Sequence, residues 1–516
     1  MNHNLTRSSA MLIVSFINIV TPLSGLIMEL VFAWTYGTSI FLDAFRISSL
    51  VILLGTQFFS VYLLPHVIIP IYTNYQSNNK EEEGWYLMLT IGLIISSFLI
   101  ILILFANIDT STIVNYLGPG LDQYEGVSSA TILVHFFSPV LLLMVWCGIF
   151  SAILNVHKKY LLTSAIQVIP NLTIIIFILF FYKYFNSAYV VGVAVFLSYL
   201  IMTTVLFFNL FNLFNKNNFF IFSKFYLPDM LEIKNFFKRA IPLILLIIIS
   251  QLGIIEINKN LSLLGSGIIS NFWFSWKLLA LVSIVPTGIT YIFFPEISRL
   301  ISEKKNIDIF NLIKKTFQMT VFLTFPICFF LIVMSHDLVF ILFRHGEMDY
   351  ENVKVIALAF AFLLVGTPAS AISLALSKAA IVYKDNFTII GISSISSIIM
   401  VFLVSKISES FGIYGICIFV SVLAWICFFI QLYYQSMRYK IISFSNSLIY
   451  LFKIFLLTFV CGFPVVLIEL YLDINLYIKF SLCLFIFFIL VMLFSLFFKV
   501  NEFYQLMNNL KNLIKR

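Results

Sequence analysis

Between about residues 10 and 499 one apolar stretch follows another, most of them roughly as long as a bilayer is thick, and this pattern limits what the backbone can build. In a hydrocarbon layer about 30 Å thick every N–H and C=O needs a partner within the protein, so only helices or a closed barrel can cross it. Barrel strands would alternate polar and apolar residues over about 10 positions. Here the runs are continuously apolar and carry most of the chain's 59 phenylalanines. With 61% hydrophobic and 10% charged residues, a chain of 516 residues also has too little polar surface to coat a soluble globule. The sequence therefore predicts an all-α integral membrane protein.

Fourteen spans can be drawn, at about 10–36, 40–74, 84–107, 127–155, 160–182, 187–214, 235–257, 262–297, 311–335, 351–382, 386–406, 411–437, 447–471 and 475–499. The second, eighth and tenth exceed what a bilayer needs and are expected to tilt, bend or protrude. Lysine and arginine test the topology, because cytoplasmic loops are enriched in both. With both termini inside, 23 of the 31 lie on the inner side and six on the outer side, namely Lys183, Lys259, Arg344, Lys354, Lys406 and Lys479. The bias argues against an odd number of spans and predicts a multi-pass protein with both termini cytoplasmic. It also accounts for the net charge of +8 without a nucleic-acid partner. Arg7 precedes a long apolar run that has no small-residue cleavage site, so the first span is expected to be retained.

The chain repeats itself. Tyr36 to Phe45 (YGTSIFLDAF) has a counterpart in Leu264 to Trp273 (LGSGIISNFW), each bridging two spans, and Ala152 to Lys158 (AILNVHK) resembles Ala379 to Lys384 (AAIVYK). Two lobes of six helices in pseudo-twofold repeat follow, residues 1–220 and 221–440, with 441–516 holding two extra helices and a cytoplasmic tail. An even number of spans per half makes the repeats parallel, an arrangement that puts a transport site between halves near the midplane.

Charge inside spans is costly, at roughly 2.5–3.5 kcal/mol per residue on insertion scales, and usually marks a protein interior or a wet path. Glu29, Asp43 and Arg46 sit in the first two spans, and Lys277 sits in the eighth. Arg46 follows Asp43 by three residues on one helical face, a spacing that permits an intrahelical pair. Lys277 has no acid within helical reach, which suits either a cavity-facing cation for an anionic headgroup or a side chain snorkelling to the interface. For Glu29 a cation or proton site and a partnership with Lys277 both stay open. Pro22, Pro65, Pro70, Pro139, Pro170, Pro242, Pro286 and Pro368 punctuate the spans, each either a kink of the kind that suits a moving transporter or simply the proline that is common in membrane helices. His66 and His135 are expected to be hydrogen-bonded core residues. The six cysteines fall in apolar runs without CxxC spacing and read as packing residues. No nucleophile triad, phosphate loop or metal spacing is present, so no catalytic residues, metal or cofactor are expected, and the chain reads as a transporter rather than an enzyme.

Several blocks resemble a known family: YGTSIFLDAF, the Pro70-Ile-Tyr ending of the second span, FFSPVLLLMVWCGIFSAILNVHKKY, LLGSGIISNFWFSWKLLALVSIVPTGITYIFFPEISR and ILFRHGEMDYENVKVIALAFAFLLVGTPASAI. Together, in order and over about residues 10–440, they are similar to the MurJ (MviN) family of lipid II flippases, within the multidrug/oligosaccharidyl-lipid/polysaccharide exporter superfamily. The resemblance implies a protein of the bacterial cytoplasmic (inner) membrane with fourteen helices in two lobes around a cationic cavity, carrying an undecaprenyl-pyrophosphate-linked sugar across without ATP. It matches Asp43 to the family's DAF acid, Glu29 to its other first-helix acid and Lys277 to an arginine of the eighth helix, whereas Arg46 has no charged counterpart. At the positions of the family's cavity arginines in the first two helices stand Pro22, Met28, Thr56 and Gln57. The cavity is thus expected to be rebuilt with fewer cations, with Lys277, Arg46, Asp43 and Glu29 as the substrate-binding residues.

The resulting expectation is a flippase for lipid II or a related polyprenyl-pyrophosphate-linked glycan, working by alternating access. An O-antigen or capsule-unit flippase and a cation-coupled drug or metabolite antiporter of the same superfamily are the alternatives. A membrane glycosyltransferase would need an extended outer loop bearing acids and arginines, and the loop at about 108–126 has no basic residue. Neither a coupling ion nor an oligomeric state is legible.

Overall fold

The structure is a computed structural model, and it describes residues 7–59, 67–124, 126–216, 228–303, 306–382, 385–439, 442–472, 474–498, 500 and 502–504. Among them the regular elements are all helical. The chain folds into two compact units, one of residues 1–270 with 397–403 and one of residues 271–396 with 404–516.

The first unit holds α1 (Arg7–Tyr36), α2 (Ile40–Gly55), α3 (Ile69–Ser77), α4 (Glu81–Ala106), α5 (Thr110–Leu117), α6 (Gly126–Phe137), α7 (Val140–Val156), α8 (Tyr160–Ala165), α9 (Ile169–Phe181), α10 (Ser187–Lys216), α11 (Met230–Leu263) and the first turn of α12 (Ile268–Leu278). Helix starts follow local chemistry. Glu81, Glu82 and Glu83 fill the first turn of α4, where carboxylates meet the positive end of the helix dipole. The Asp109 and Asp229 side chains accept from the Thr112 and Leu231 amides and cap α5 and α11. Between helices, hydroxyls supply the polar ties that apolar packing in lipid lacks. Ser48 Oγ donates to the Ala130 carbonyl at 3.0 Å, joining α2 to α6, and Asn171 Nδ2 donates to Ser24 Oγ at 2.9 Å, joining α9 to α1. At the end of this unit where bases are few, a short 3₁₀ turn (Pro119–Tyr124) rests on the last turn of α11, and the Gly120 amide donates to Ser262 Oγ at 3.2 Å. A Cβ on Gly120 would lie 1.7 Å from the Ser262 carbonyl oxygen, so only glycine permits this approach.

The second unit holds the rest of α12 with α13 (Ala280–Ser302), α14 (Asn306–Val333), α15 (Ser335–Phe343), α16 (Tyr350–Val382), α17 (Asn386–Arg438) apart from residues 397–403, α18 (Phe444–Tyr471) and α19 (Leu476–Phe497). At about 1.5 Å per residue the 53-residue α17 is far too long for one crossing. It turns at Gly412 (φ 60°, ψ −149°), a conformation that an L side chain resists. Its second half is fastened to α16 by a ladder: Ser421 Oγ donates to the Phe362 carbonyl, Trp425 Nε1 to the Val365 carbonyl and Gln431 Nε2 to the Ser373 carbonyl.

Twelve stretches among the described residues are long and apolar enough to cross a membrane. One of them, 390–438, is two passages joined at Gly412, and α12 with α13 adds another, so about fourteen passages result, in keeping with the sequence. Pro22, Pro242 and Pro368 lie inside helices as expected. All six cysteines are free, five of them buried. His135 differs from expectation: it is exposed on α6, with Nδ1 2.6 Å from the Thr131 carbonyl of its own helix, so a local bond rather than core burial satisfies the ring. His66 lies outside the described residues.

Candidate functional site: buried charges on α1 and α2

Three ionisable side chains are buried inside the first unit. Glu29 on α1 is fully buried, and Asp43 and Arg46 on α2 are 1% and 4% exposed. Arg46 Nη1 donates to Glu29 Oε1 at 3.0 Å and Nη2 donates to Oε2, a two-pronged fit of guanidinium to carboxylate. Phe32 and Phe45 lie against the guanidinium, with ring centroids 5.9 and 5.5 Å from Cζ.

Asp43 faces elsewhere. Oδ2 accepts from the Gly267 amide at 2.6 Å, and Oδ1 accepts from the Ser270 amide at 2.8 Å and the Ser270 hydroxyl at 2.6 Å. One carboxylate thus caps the first turn of α12 from the neighbouring helix α2. Gly267 sits at φ +81°, and a Cβ there would lie 2.5 Å from the Thr38 carbonyl oxygen, so the turn needs glycine both for its dihedral and for its contact.

One expectation is corrected by this geometry. The Asp43–Arg46 spacing permits an intrahelical pair, but Asp43 lies in the first turn of α2 and turns to the amides of 267–270, while the longer Arg46 reaches α1. Glu29 takes Arg46 as an ion-pair partner. Lys277 is half-buried on α12, seven residues or about 10 Å of helix beyond Ser270. At two of the positions where the resemblance leads one to look for arginines, Met28 is buried and Thr56 Oγ1 donates to the Ile52 carbonyl of its own helix.

Three polar clusters stand apart from these residues. In the first unit His157, just past α7, has Nε2 3.8 Å from Glu81 Oε2 and Nδ1 3.4 Å from Gln76 Nε2. Burial draws its imidazole below the ordinary value; Glu81 opposes this and Lys159 adds to it. In the second unit Lys479 lies 3.2 Å from Asp337 and 2.9 Å from Glu469, tying α19 to α15 and α18. There too Asp385 accepts from Thr388 Oγ1 at 2.6 Å, from Tyr434 OH at 2.9 Å and from Tyr439 OH. Sequence spacing identifies none of the three, because each joins residues brought together only by folding. No group of three or more metal-ligating side chains occurs among the described residues.

A helical, multi-pass membrane protein with charges paired inside its spans and prolines within its helices belongs to the class of polytopic transport proteins. The sequence profile of the lipid II flippase MurJ matches residues 32–497, and the chain belongs to that family. It is 25% identical over 464 residues to the probable lipid II flippase MurJ of Buchnera aphidicola subsp. Schizaphis graminum, covering 87% of each chain. Its identity to the probable lipid II flippase MurJ of Rickettsia prowazekii is 21% over 432 residues, 83% of this chain and 84% of the other. Among solved structures, a lipid II flippase MurJ in an inward closed conformation superposes with a TM-score of 0.79 at 20% identity, over 95% of this chain and 99% of that one. An inward-facing multidrug resistance MATE family transporter of the MOP superfamily gives 0.67 at 11% identity, over 84% and 98%.

Proposed function

We propose that this protein carries a polyprenyl-pyrophosphate-linked glycan, lipid II first among the candidates, from the cytoplasmic to the outer face of a bacterial membrane by alternating access, with both termini cytoplasmic. Family membership supports translocation of such a lipid. The observation that carries the mechanism is the Asp43 carboxylate held by two amides and one hydroxyl of the turn that opens α12. Hydrogen bonds are individually modest, about 0.5–1.5 kcal/mol net and up to about 3 with a charged partner, so three of them make a contact that is firm yet releasable. In this reading the Asp43 contact closes the outer end and must let go when the protein opens outward, as residues 1–220 and 221–440 move as lobes.

Lys277, two turns farther along α12, meets the pyrophosphate in this mechanism. Its placement rests on its half-buried position in a membrane helix and on its correspondence to a family arginine. Arg46 and Glu29 set the shape of the first two helices: an arginine matched by a bidentate carboxylate has its charge largely neutralised, so it supports the cavity wall more than it attracts anions. The loss of family arginines at Met28 and Thr56 leaves Lys277 with a greater share of the anion's charge.

The test is replacement in living cells. Expressed in a bacterium depleted of its own lipid II flippase, the chain is expected to restore growth and outer-face lipid II. If outer-face lipid II stays at the depleted level while the protein is present in the membrane, lipid II is not the cargo.

A further inference from the structure

A cleft of about 820 Å³ opens in the first unit between the α3–α4 turn and the first turns of α11. Lys80 and Arg239 line it, at the base-rich end that the charge bias assigns to the inner face. Its volume falls in the range of small-molecule sites, roughly 300–1,000 Å³. The buried charges of α1 and α2 contribute nothing to its lining.

The lining has a definite chemistry. Asn74, Asn78 and Asn235 bring three carboxamides; Asn78 Nδ2 donates to the Asn74 carbonyl at 2.9 Å and to Asn74 Oδ1 at 3.4 Å, which leaves the Asn74 and Asn235 amide donors and the Asn78 and Asn235 amide oxygens to a ligand. Charge is balanced: Lys80 and Arg239 are met by Glu83 and Glu232, and Lys80 Nζ lies 3.1 Å from Glu83 Oε2. A phosphate entering here would face two carboxylates, so the cleft is not built for an anion. Tyr75 adds an aromatic wall whose position depends on Gly84, since a Cβ there would lie 2.8 Å from Tyr75 Cβ. One carboxylate oxygen of Glu232, shielded from solvent, accepts no hydrogen bond. Carboxamides, balanced charges, a ring and an unfilled acceptor suit a neutral ligand rich in hydroxyl and amide groups, which donates and accepts at once and lays its C–H face on the ring.

We propose that this cleft is a glycan-binding subsite that receives the sugar portion of the transported lipid at the inner face, before the pyrophosphate reaches Lys277. The assignment rests on the flippase reading above. It divides recognition in two: the sugar is read in a neutral cleft, and the charged linkage is held within the membrane.

The experiment uses the full-length protein in detergent, with N,N′-diacetylchitobiose as a soluble acetamido disaccharide, followed by saturation-transfer NMR. Binding is expected, weakened about tenfold or more by Asn235→Leu and by Tyr75→Ala, the loss expected when one polar or aromatic partner is removed. Tyr75→Phe keeps the ring and should bind as the unsubstituted protein does, which separates ring loss from misfolding. In liposomes the same two substitutions should raise the concentration of lipid-linked glycan for half-maximal flipping by a similar factor and leave the maximal rate unchanged. No disaccharide binding, together with unchanged half-saturation in both variants, overturns the proposal. Binding that the substitutions abolish without changing half-saturation overturns the assignment to the transported lipid and points to a free sugar. If the unsubstituted protein binds the disaccharide but flips no lipid-linked glycan, the flippase reading fails while the glycan site stands.

Discussion

Arg46 reaches back seventeen residues to Glu29 on α1, with Nη1 3.0 Å from Oε1, and leaves the nearer Asp43 to the α12 turn. Removing one partner of a buried pair leaves an uncompensated charge and costs about 3–5 kcal/mol, whereas replacing both with apolar groups can be close to neutral. Glu29→Leu and Arg46→Leu should each lower the thermal midpoint of the purified protein markedly, and the double substitution should recover much of the loss. Additive losses would show that the two side chains act separately.

Asp43 holds the α12 turn through three acceptor contacts. Asp43→Ala removes all three and should increase labelling of an Ile269→Cys reporter, buried in the same turn, by a membrane-impermeant maleimide added from outside. Unchanged labelling would mean that the Asp43 contact is not what shields this turn.

Gly120 lies against the α11 backbone, where a Cβ would be 1.7 Å from the Ser262 carbonyl oxygen, while a Cβ at Gly391 would meet nothing within 4 Å. Gly120→Ala should therefore force the 3₁₀ turn away from α11 and lower the thermal midpoint by several degrees. Gly391→Ala should leave it unchanged or raise it, because alanine favours helix by about 1 kcal/mol over glycine. Equal behaviour of the two variants would contradict the close approach.

Burial is the chief cause that draws the His157 imidazole below its ordinary value in the folded protein, with Glu81 opposing it and Lys159 adding to it; Gln76 and Tyr72 also lie beside the ring. A depressed folded value means that the unfolded chain takes up the proton first, so stability falls as pH drops below the ordinary histidine value of 6.5. Thermal midpoints measured from pH 7.5 to 5.5 should decline less steeply in His157→Gln than in the unsubstituted protein. Parallel curves would assign the acid sensitivity to other groups.

The sequence shows the helices plainly because uninterrupted apolar runs have one solution in lipid, and it shows Glu29, Asp43 and Arg46 to be buried because charge there is costly. Their pairing is less legible. Helical spacing sees only neighbours on one helix, so it suggests Asp43 for Arg46, although α1 presents a better-matched carboxylate. Ser270 is one serine among many until the fold brings it to Asp43, and Lys479 reads as a loop base although it binds Asp337 and Glu469. The neutral cleft has no sequence signature because its two walls, 70–87 and 232–239, are far apart in the chain.

The most direct measurement of the central claim is the rate at which purified, reconstituted protein moves fluorescent lipid II between leaflets of a liposome. The account predicts transfer above protein-free vesicles by the unsubstituted chain. Lys277→Gln should abolish it at normal protein levels, and Lys277→Arg should retain part of it, because that change keeps the charge but alters the donor geometry. Transfer by Lys277→Gln at the unsubstituted rate would contradict a role for this ammonium at the pyrophosphate, and no transfer by the unsubstituted chain would contradict lipid II as its cargo.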